Sequence, residues 1–207
     1  MRHKKLFLMA AVCTMLTACT GSGPQPFAPT ESGLYITSEG VITSATIETY
    51  EADYYSEAEL KASVEEVLAD FSGAETGLAK VKECKLADGT AKLLIDFKTP
   101  DAYLEFMEEY PDEESPIQVK ELDVATVSDG IARGYLVGKR FYHLAKEVKE
   151  TAADEVMKQS KLYVAAVEGP ALIQTDDSIV YISTDVEVTG TNTVRTPAEG
   201  MSYIVFK

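Results

Sequence analysis

The sequence predicts an α+β fold: an antiparallel sheet that carries two or three helices, with a small β-rich unit at the C-terminal end. Two observations predict this class. Strand and helix periods follow one another between residues 41 and 127, and short β-rich runs separated by turn residues follow residue 161. The composition, 45% hydrophobic and 26% charged, is that of an ordinary globular domain.

The first strand is predicted between Val41 and Tyr50, where apolar and more polar residues alternate. A helix near residues 57–71 follows. Ser56 and Glu59 form a capping-box sequence at its start, and Gly73 lies where a C-terminal cap belongs. The apolar residues of this helix recur at helical spacing: Leu60, Val64, Val67, Leu68 and Phe71.

A hairpin and a second helix come next. Two strands, 78–86 and 91–97, flank Asp88 and Gly89, a dipeptide that readily adopts the positive φ angles of a tight type I′ turn. The second helix is predicted to begin at Pro100, because proline at the first helical position loses no needed hydrogen bond.

This helix is expected to end before Pro111, and a strand is predicted over residues 117–127. The alternation of that strand slips near Lys120 and Glu121, which indicates a bulge. The resulting order is typical of the ferredoxin-like β-α-β-β-α-β motif. We therefore expect residues 33–160 to form one α+β domain.

The pattern changes after this strand. Gly130, Gly134 and Gly138 indicate a turned connection, and a helix is predicted from about residue 140. Residues 161–207 are expected to form a β-rich subdomain. Its predicted strands cover residues 162–167, 171–175, 179–183, 186–188 and 203–206.

The N-terminus has the features of a secretory signal peptide, predicted over residues 1–18. A cationic start, Arg2–Lys5, precedes the apolar run Leu6–Leu16. That run is too short to cross a hydrocarbon core of about 30 Å as a helix. It ends in Leu16-Thr17-Ala18-Cys19, which resembles the lipobox of bacterial lipoproteins.

The resemblance implies that Cys19 is the lipid attachment site and the first mature residue. The membrane is then a partner through two acyl chains, which hold a protein far longer than one chain does. The implied location is the outer, extracytoplasmic face of the cell membrane. Residues 19–32, the lipidated cysteine and a segment rich in Pro, Gly and Ser, are predicted to act as a flexible tether.

A second resemblance covers about the first quarter of the mature chain. The stretch Gly40–Glu48, followed by Tyr54–Leu60, looks like the opening of a group of uncharacterised Firmicutes surface lipoproteins. The resemblance to that group implies a cellular location and an architecture, but no chemical activity. Glu48 and the pair Tyr54 and Tyr55 are interpreted as a strand end and a helix-entry packing motif.

No residue is assigned a catalytic, cofactor-binding or metal-binding role. The chain has no phosphate-binding loop, dinucleotide-binding, zinc-protease or serine-hydrolase motif. His143 is the one histidine after residue 18 and has no evident catalytic partner. Cys13 leaves with the signal and Cys19 is consumed, so Cys84 remains alone on a probable strand and is interpreted as a buried structural thiol. The net charge of −15 opposes binding to nucleic acid.

Two charged clusters need an account. The densest acidic run consists of Glu105, Glu108, Glu109, Asp112, Glu113 and Glu114. It lacks the spacing of a calcium loop and is interpreted as a solvated face. The basic segment 133–149 either receives an anionic ligand or docks against the acidic body, and we favour docking because it needs no new partner.

The favoured function is that of a lipid-anchored surface protein that acts as a binding or assembly component, with an envelope protein or glycan as its partner. The alternative is a hydrolase of envelope polymers or polysaccharides, which would need two carboxylates that face each other across a cleft and lie about 5–9.5 Å apart. A third hypothesis, a carrier of a small molecule or peptide, needs a concave apolar pocket with a few polar groups.

Overall fold

The computed structural model describes residues 26–50, 56–72, 77–144 and 148–207. Several predicted features lie outside the described residues: the signal segment 1–18, Cys19, Tyr54, Tyr55, Gly73 and Lys146.

Four helices and thirteen strands are formed by the described residues. The helices are α1 (Glu57–Ser72), α2 (Pro100–Glu109), α3 (Val127–Ala132) and α4 (Ala153–Met157). The first seven strands are β1 (Gly33–Ile36), β2 (Ile42–Thr49), β3 (Ala79–Ala87), β4 (Thr90–Phe97), β5 (Glu121–Thr126), β6 (Arg140–Leu144) and β7 (Val148–Ala152). The other six are β8 (Tyr163–Glu168), β9 (Leu172–Thr175), β10 (Ile179–Ser183), β11 (Glu187–Val188), β12 (Thr193–Arg195) and β13 (Met201–Phe206).

The described strands form two sheets. The seven-stranded sheet has the order β11-β12-β9-β1-β2-β4-β3, and the six-stranded sheet has the order β5-β8-β13-β10-β6-β7. Neighbours are antiparallel except β1 and β9, which are parallel. The prediction of a ferredoxin-like α+β fold is therefore wrong, because the structure is a β-rich fold.

The error lies in strand pairing. The strand predicted over 117–127 appears as β5, but it pairs with β8 in the second sheet instead of joining β2, β3 and β4. The four middle residues of β8, Val164 to Val167, are all buried, so this strand needs a neighbour on each side and a cover on each face. Strand β5 is the neighbour on one of those sides. The local periodicity of the sequence does not show which strand takes that place.

The strands expected to form one C-terminal β-unit are divided between the two sheets. Strands β9, β12 and β11 extend the seven-stranded sheet, whereas β8, β13 and β10 form the middle of the six-stranded one. One apolar core, which runs from Leu34 to Phe206 in the sequence, joins the inner faces of both sheets with α1 and α2.

The helix predicted from residue 140 is wrong as well. Strands β6 and β7 form a hairpin there, and β6 pairs with β10 from Phe141 to His143. The apolar spacing that suggested a helix also fits a strand covered on both faces: Phe141 joins a second core on the outer face of the six-stranded sheet, and Tyr142 packs on the inner one.

The predicted starts of α1 and α2 and the predicted turn between β3 and β4 are confirmed. Helix α1 begins at Glu57, and the hydroxyl of Ser56 accepts a hydrogen bond from the backbone N–H of Glu59 at 3.3 Å. The β3–β4 turn places Asp88 at φ 53° and Gly89 at φ 72°, the left-handed values that a type I′ turn requires. Helix α2 begins at Pro100, as predicted. No helix in the described ranges has both the length and the apolar character needed to span a bilayer.

Candidate functional site: a groove under two helices

A groove lies between α1, α2 and the inner face of β2 and β4, with a volume of about 220 Å³. Helix α1 contacts β3, and α2 contacts β4 and β5, so the helices form its roof and the sheet its floor. The apolar part of the lining includes Val64, Val67, Leu93, Ile95, Phe106 and Met107. The groove is therefore an apolar concavity built on regular elements rather than on loops.

The sequence builds this groove through helical spacing. Tyr103, Phe106, Met107 and Tyr110 recur on one side of α2, and all four line the groove. The start of α2 is fixed by Thr99, whose hydroxyl accepts a hydrogen bond from the N–H of Ala102 at 3.1 Å.

Aromatic contacts make the wall of the groove firm. The ring centroids of Phe97 and Phe106 lie 5.3 Å apart, and the ring of Tyr103 meets Phe97 edge-on at 5.4 Å. Edge-to-face packing at such distances favours one arrangement of the rings. The groove should therefore hold its shape without a ligand.

Tyr103 is the unusual residue of the groove. Its side chain is fully buried, and its hydroxyl oxygen has no hydrogen-bond partner among the described residues. Burial raises the pKa of Tyr103, so the hydroxyl stays protonated and remains a donor. An unpaired buried hydroxyl costs about 1–3 kcal/mol.

The polar part of the lining consists of Ser44, Thr46, Ser63, Asp112 and Ser115. Asp112 is the one carboxylate among the described residues that line the groove. Hydrolysis of a glycoside uses two carboxyl groups.

A different cavity, of about 420 Å³, does contain two carboxylates, Glu31 and Glu48, together with Arg195. Both glutamates are exposed, and Arg195 forms an ion pair with Glu31 at 3.1 Å. This arrangement lacks the enclosed general acid that glycosidases use. It gives the hydrolase hypothesis no support.

His143 and Cys84 lie on different sheets. His143 lies on β6, not on a helix, and its ring stacks on Tyr181 at 4.6 Å. Cys84 lies on β3 as predicted, although its side chain is half-buried rather than buried. Burial, followed by the nearby carboxylate of Glu57, raises the pKa of the Cys84 thiol, which opposes the thiolate form that a nucleophile needs.

All six side chains of the acidic run are exposed, which agrees with a solvated face, and Asp112 accepts a hydrogen bond from the N–H of Glu114 at 3.1 Å. In the basic segment, Arg133 pairs with Asp123 of β5. Arg140 pairs with Glu150 at 3.3 Å within the β6–β7 hairpin, and both side chains are exposed. Within the described part of the chain, no three potential metal ligands lie close enough together to hold an ion.

The segment before β1, part of the predicted tether, contacts the body from Pro26 onward. The carbonyl of Pro26 accepts a hydrogen bond from Gln174 at 3.3 Å, and the ring of Phe27 stacks on Tyr35 at 5.0 Å. Ser32 bonds the backbone of Ile47 through its hydroxyl, which accepts from the N–H at 2.9 Å.

Comparisons of the chain with protein-family models, with curated proteins and with solved structures gave no match. The geometry and the sequence therefore carry the functional argument.

Sequence reasoning predicted helix α2 but missed the groove. The helical spacing of its aromatic residues shows which residues share a side, but it does not show that the floor under them is incompletely filled. The two small polar residues of β2 on that face, Ser44 and Thr46, were the available signal, since they stand opposite the larger Ile95 and Leu93 of β4.

Proposed function

We propose that the chain is a lipid-anchored extracytoplasmic binding protein, tied by Cys19 to the outer face of the cell membrane, and not an enzyme. The groove under α1 and α2 receives an apolar group of its ligand. The observation that carries the binding role is the apolar groove, one of whose lining residues, Tyr103, has a buried hydroxyl without a hydrogen-bond partner among the described residues. A ligand that enters far enough to offer this hydroxyl an acceptor, next to an apolar body, would remove that cost.

The volume limits the ligand. An apolar cavity of about 150 Å³ holds a benzene molecule, and this groove has about 220 Å³. A single substituted ring or a short acyl chain therefore fits. A larger envelope molecule would insert only such a group.

The binding test uses two compounds of similar shape, acetophenone and ethylbenzene, titrated into the protein by NMR. Only acetophenone has an acceptor for the Tyr103 hydroxyl, so we expect it to bind about five-fold more tightly. Tyr103→Phe should abolish that preference, whereas Tyr163→Phe, on the six-stranded sheet, should leave it unchanged. An equal affinity for both compounds in the unaltered protein would contradict the role of Tyr103.

A second pair of variants tests the location of the site. Val67→Trp places a large ring in the groove, and Glu66→Trp adds the same ring to the exposed side of α1. We expect the first variant to weaken binding at least ten-fold and the second to leave it within two-fold. If both variants bind alike, the ligand occupies another place.

The anchor is tested by Cys19→Ala with cell fractionation, and Cys84→Ala is the matched cysteine control. We expect only the first variant to leave the membrane fraction, because only position 19 carries the proposed acyl chains. Retention of the Cys19→Ala protein in the membrane with an unchanged mass would overturn the anchor.

A further inference from the structure

The hairpin of β3 and β4 carries four lysines on the outer face of the seven-stranded sheet: Lys80, Lys82, Lys85 and Lys92. Lys80 stands opposite Asp96, and Lys85 stands opposite Lys92 in the register of the two strands. Lys82 is the extra residue where the register shifts, and its ammonium group reaches the same Asp96 at 3.0 Å. A bulge of this kind re-aims a side chain.

Among the described residues of this face, four lysines stand against two carboxylates, Glu83 and Asp96. Glu83 pairs with Lys92 at 3.3 Å, and Asp96 is shared by Lys82 and, at 4.0 Å, by Lys80. Lys85 forms no ion pair within the described ranges. Lys92 stands opposite Lys85 and is already paired with Glu83, so Lys85 is the lysine of this facing pair left to attract an anion from outside the chain. The whole chain has a net charge of −15, so the local excess is a departure from the rest of the molecule.

The N-terminal segment lies on the same face. Tyr35, Thr43, Asp96 and Lys80 form one row across β1, β2, β4 and β3. Phe27 stacks on the first member of that row, Tyr35. Strands in a sheet are about 4.8 Å apart, so three strand spacings, about 15 Å, separate Tyr35 from Lys80.

The distance from Cys19 to this face is limited by the chain. Seven residue steps separate Cys19 from Pro26, which is held on the body by Gln174. Even a fully extended chain of that length spans at most about 25 Å. An acyl group on Cys19 would therefore hold Pro26, which lies against the outer face, within about 25 Å of the bilayer.

We infer that the lysine face of β3 and β4 docks on the anionic phospholipid headgroups of the membrane that holds the chain. The inference rests on the proposed lipid anchor and adds an orientation to it. The side chains of Lys80 and Lys82 are 74% and 43% exposed, so their ammonium groups can reach phosphate oxygens. The rest of the acidic body is repelled by an anionic surface, which leaves this face as the one that approaches it.

The test uses the lipidated protein purified from membranes and placed in two kinds of vesicle, one of phosphatidylcholine alone and one with about a third phosphatidylglycerol. An amine-reactive reagent labels the lysines, and mass spectrometry gives the rate at each. Each lysine near an anionic surface raises the partition of the protein onto that surface about five-fold. We therefore expect Lys80, Lys82 and Lys85 to react several-fold more slowly in the anionic vesicles, and Lys158 to react equally in both.

A matched pair of charge reversals separates this face from net charge. Lys80→Glu with Lys85→Glu should remove the protection of Lys82, whereas Lys158→Glu with Lys161→Glu, exposed residues at the end of α4 and beyond it, should retain it. Added salt should weaken the protection, because it screens the attraction over about 8 Å.

Equal labelling of Lys80, Lys82 and Lys85 in the two kinds of vesicle would overturn the docking surface. Equal protection by a soluble polyphosphate in phosphatidylcholine vesicles would also overturn it, since the anion would then be a polymer and not the membrane. The mass of the N-terminal peptide is read from the same sample. An acylated Cys19 together with equal labelling would contradict only the proposed docking surface. An unmodified Cys19 would contradict the proposed lipid anchor.

Discussion

The outer faces of the two sheets both carry cationic side chains, and they neutralise them to different degrees. On the six-stranded sheet, Arg133 pairs with Asp123, and the ammonium group of Lys139 lies 5.4 Å from the ring centre of Tyr203. Helices α3 and α4 cover this face with a second apolar core. On the seven-stranded sheet, Lys85 and Lys92 face each other at the surface of the hairpin.

This difference shows that the count of basic residues in a segment does not identify an anion-binding surface. The segment 133–149 has the denser cluster of cations in the sequence, yet both of its arginines are paired with carboxylates of the chain. The lysines of β3 and β4 are more widely spaced in the sequence, and the sheet register brings them onto one face. The pairing of strands, and not local composition, determines which cations remain available.

The largest expected effect comes from truncating a side chain in the second core, on the covered outer face of the six-stranded sheet. Phe141 is fully buried in the second core, so Phe141→Ala should lower the free energy of unfolding by about 3–5 kcal/mol. The same truncation at the exposed lysine face, Lys85→Ala, should change it by less than about 0.5 kcal/mol. Urea unfolding followed by circular dichroism measures both values. Similar losses would mean that the two faces do not differ as described.

A smaller effect is expected at the pair of Asp123 and Arg133. Burial acts to raise the pKa of the Asp123 carboxyl, but hydrogen bonds from Tyr135 and Arg133 outweigh it and hold the pKa below its ordinary value. The stabilisation is therefore present above the ordinary pKa and is lost as the pH falls through the lowered pKa. Asp123→Asn should cost about 1 kcal/mol near neutral pH, after allowance for partial exposure of the carboxyl.

The measurement for this variant is the free energy of unfolding as a function of pH. The difference from the unaltered protein should shrink in acid, and Asp70→Asn, at an exposed residue of α1, should show no such trend. A constant difference at all pH values would contradict the contribution of the charged carboxylate.

The smallest expected effect is the change in stability when single lysines of the lysine face are reversed in charge. Lys85→Glu changes the facing pair with Lys92 from repulsion to attraction and should stabilise the protein by about 0.2–1 kcal/mol. Lys80→Glu, on the same strand, faces Asp96 and should destabilise it by a similar amount. The two midpoints of urea unfolding should therefore shift in opposite directions. Shifts in the same direction would show that the register does not bring these charges together.

The sequence predicted elements whose signals are local. The capping pair Ser56 and Glu59 marked the start of α1, and Asp88 with Gly89 marked a hairpin turn, because each depends on the backbone within a few residues. These signals say nothing about which strands become neighbours.

The pairings that decide this fold are distant in sequence. Strand β1 lies beside β9, so Leu34 meets Ile173, and β5 lies beside β8 with Leu122 opposite Val167. Such contacts depend on which apolar faces remain to be covered once the other elements are in place, which no period in the sequence records.

The candidate site was predicted even less well, for the same reason. That the hydroxyl of Tyr103 has no partner among the described residues is a property of everything packed around it, which the sequence does not show. Cys19 is the opposite case: a short motif predicts its modification directly, and it lies outside the described residues.

The most direct test of the account is the mass of the N-terminal peptide from protein extracted from the membranes of the native cell. We predict that the chain begins at Cys19 and that its sulfur carries a diacylglyceryl group, since the orientation of both the groove and the lysine face depends on that attachment. A free thiol at Cys19, or a chain that still contains residues 1–18, would contradict the proposal.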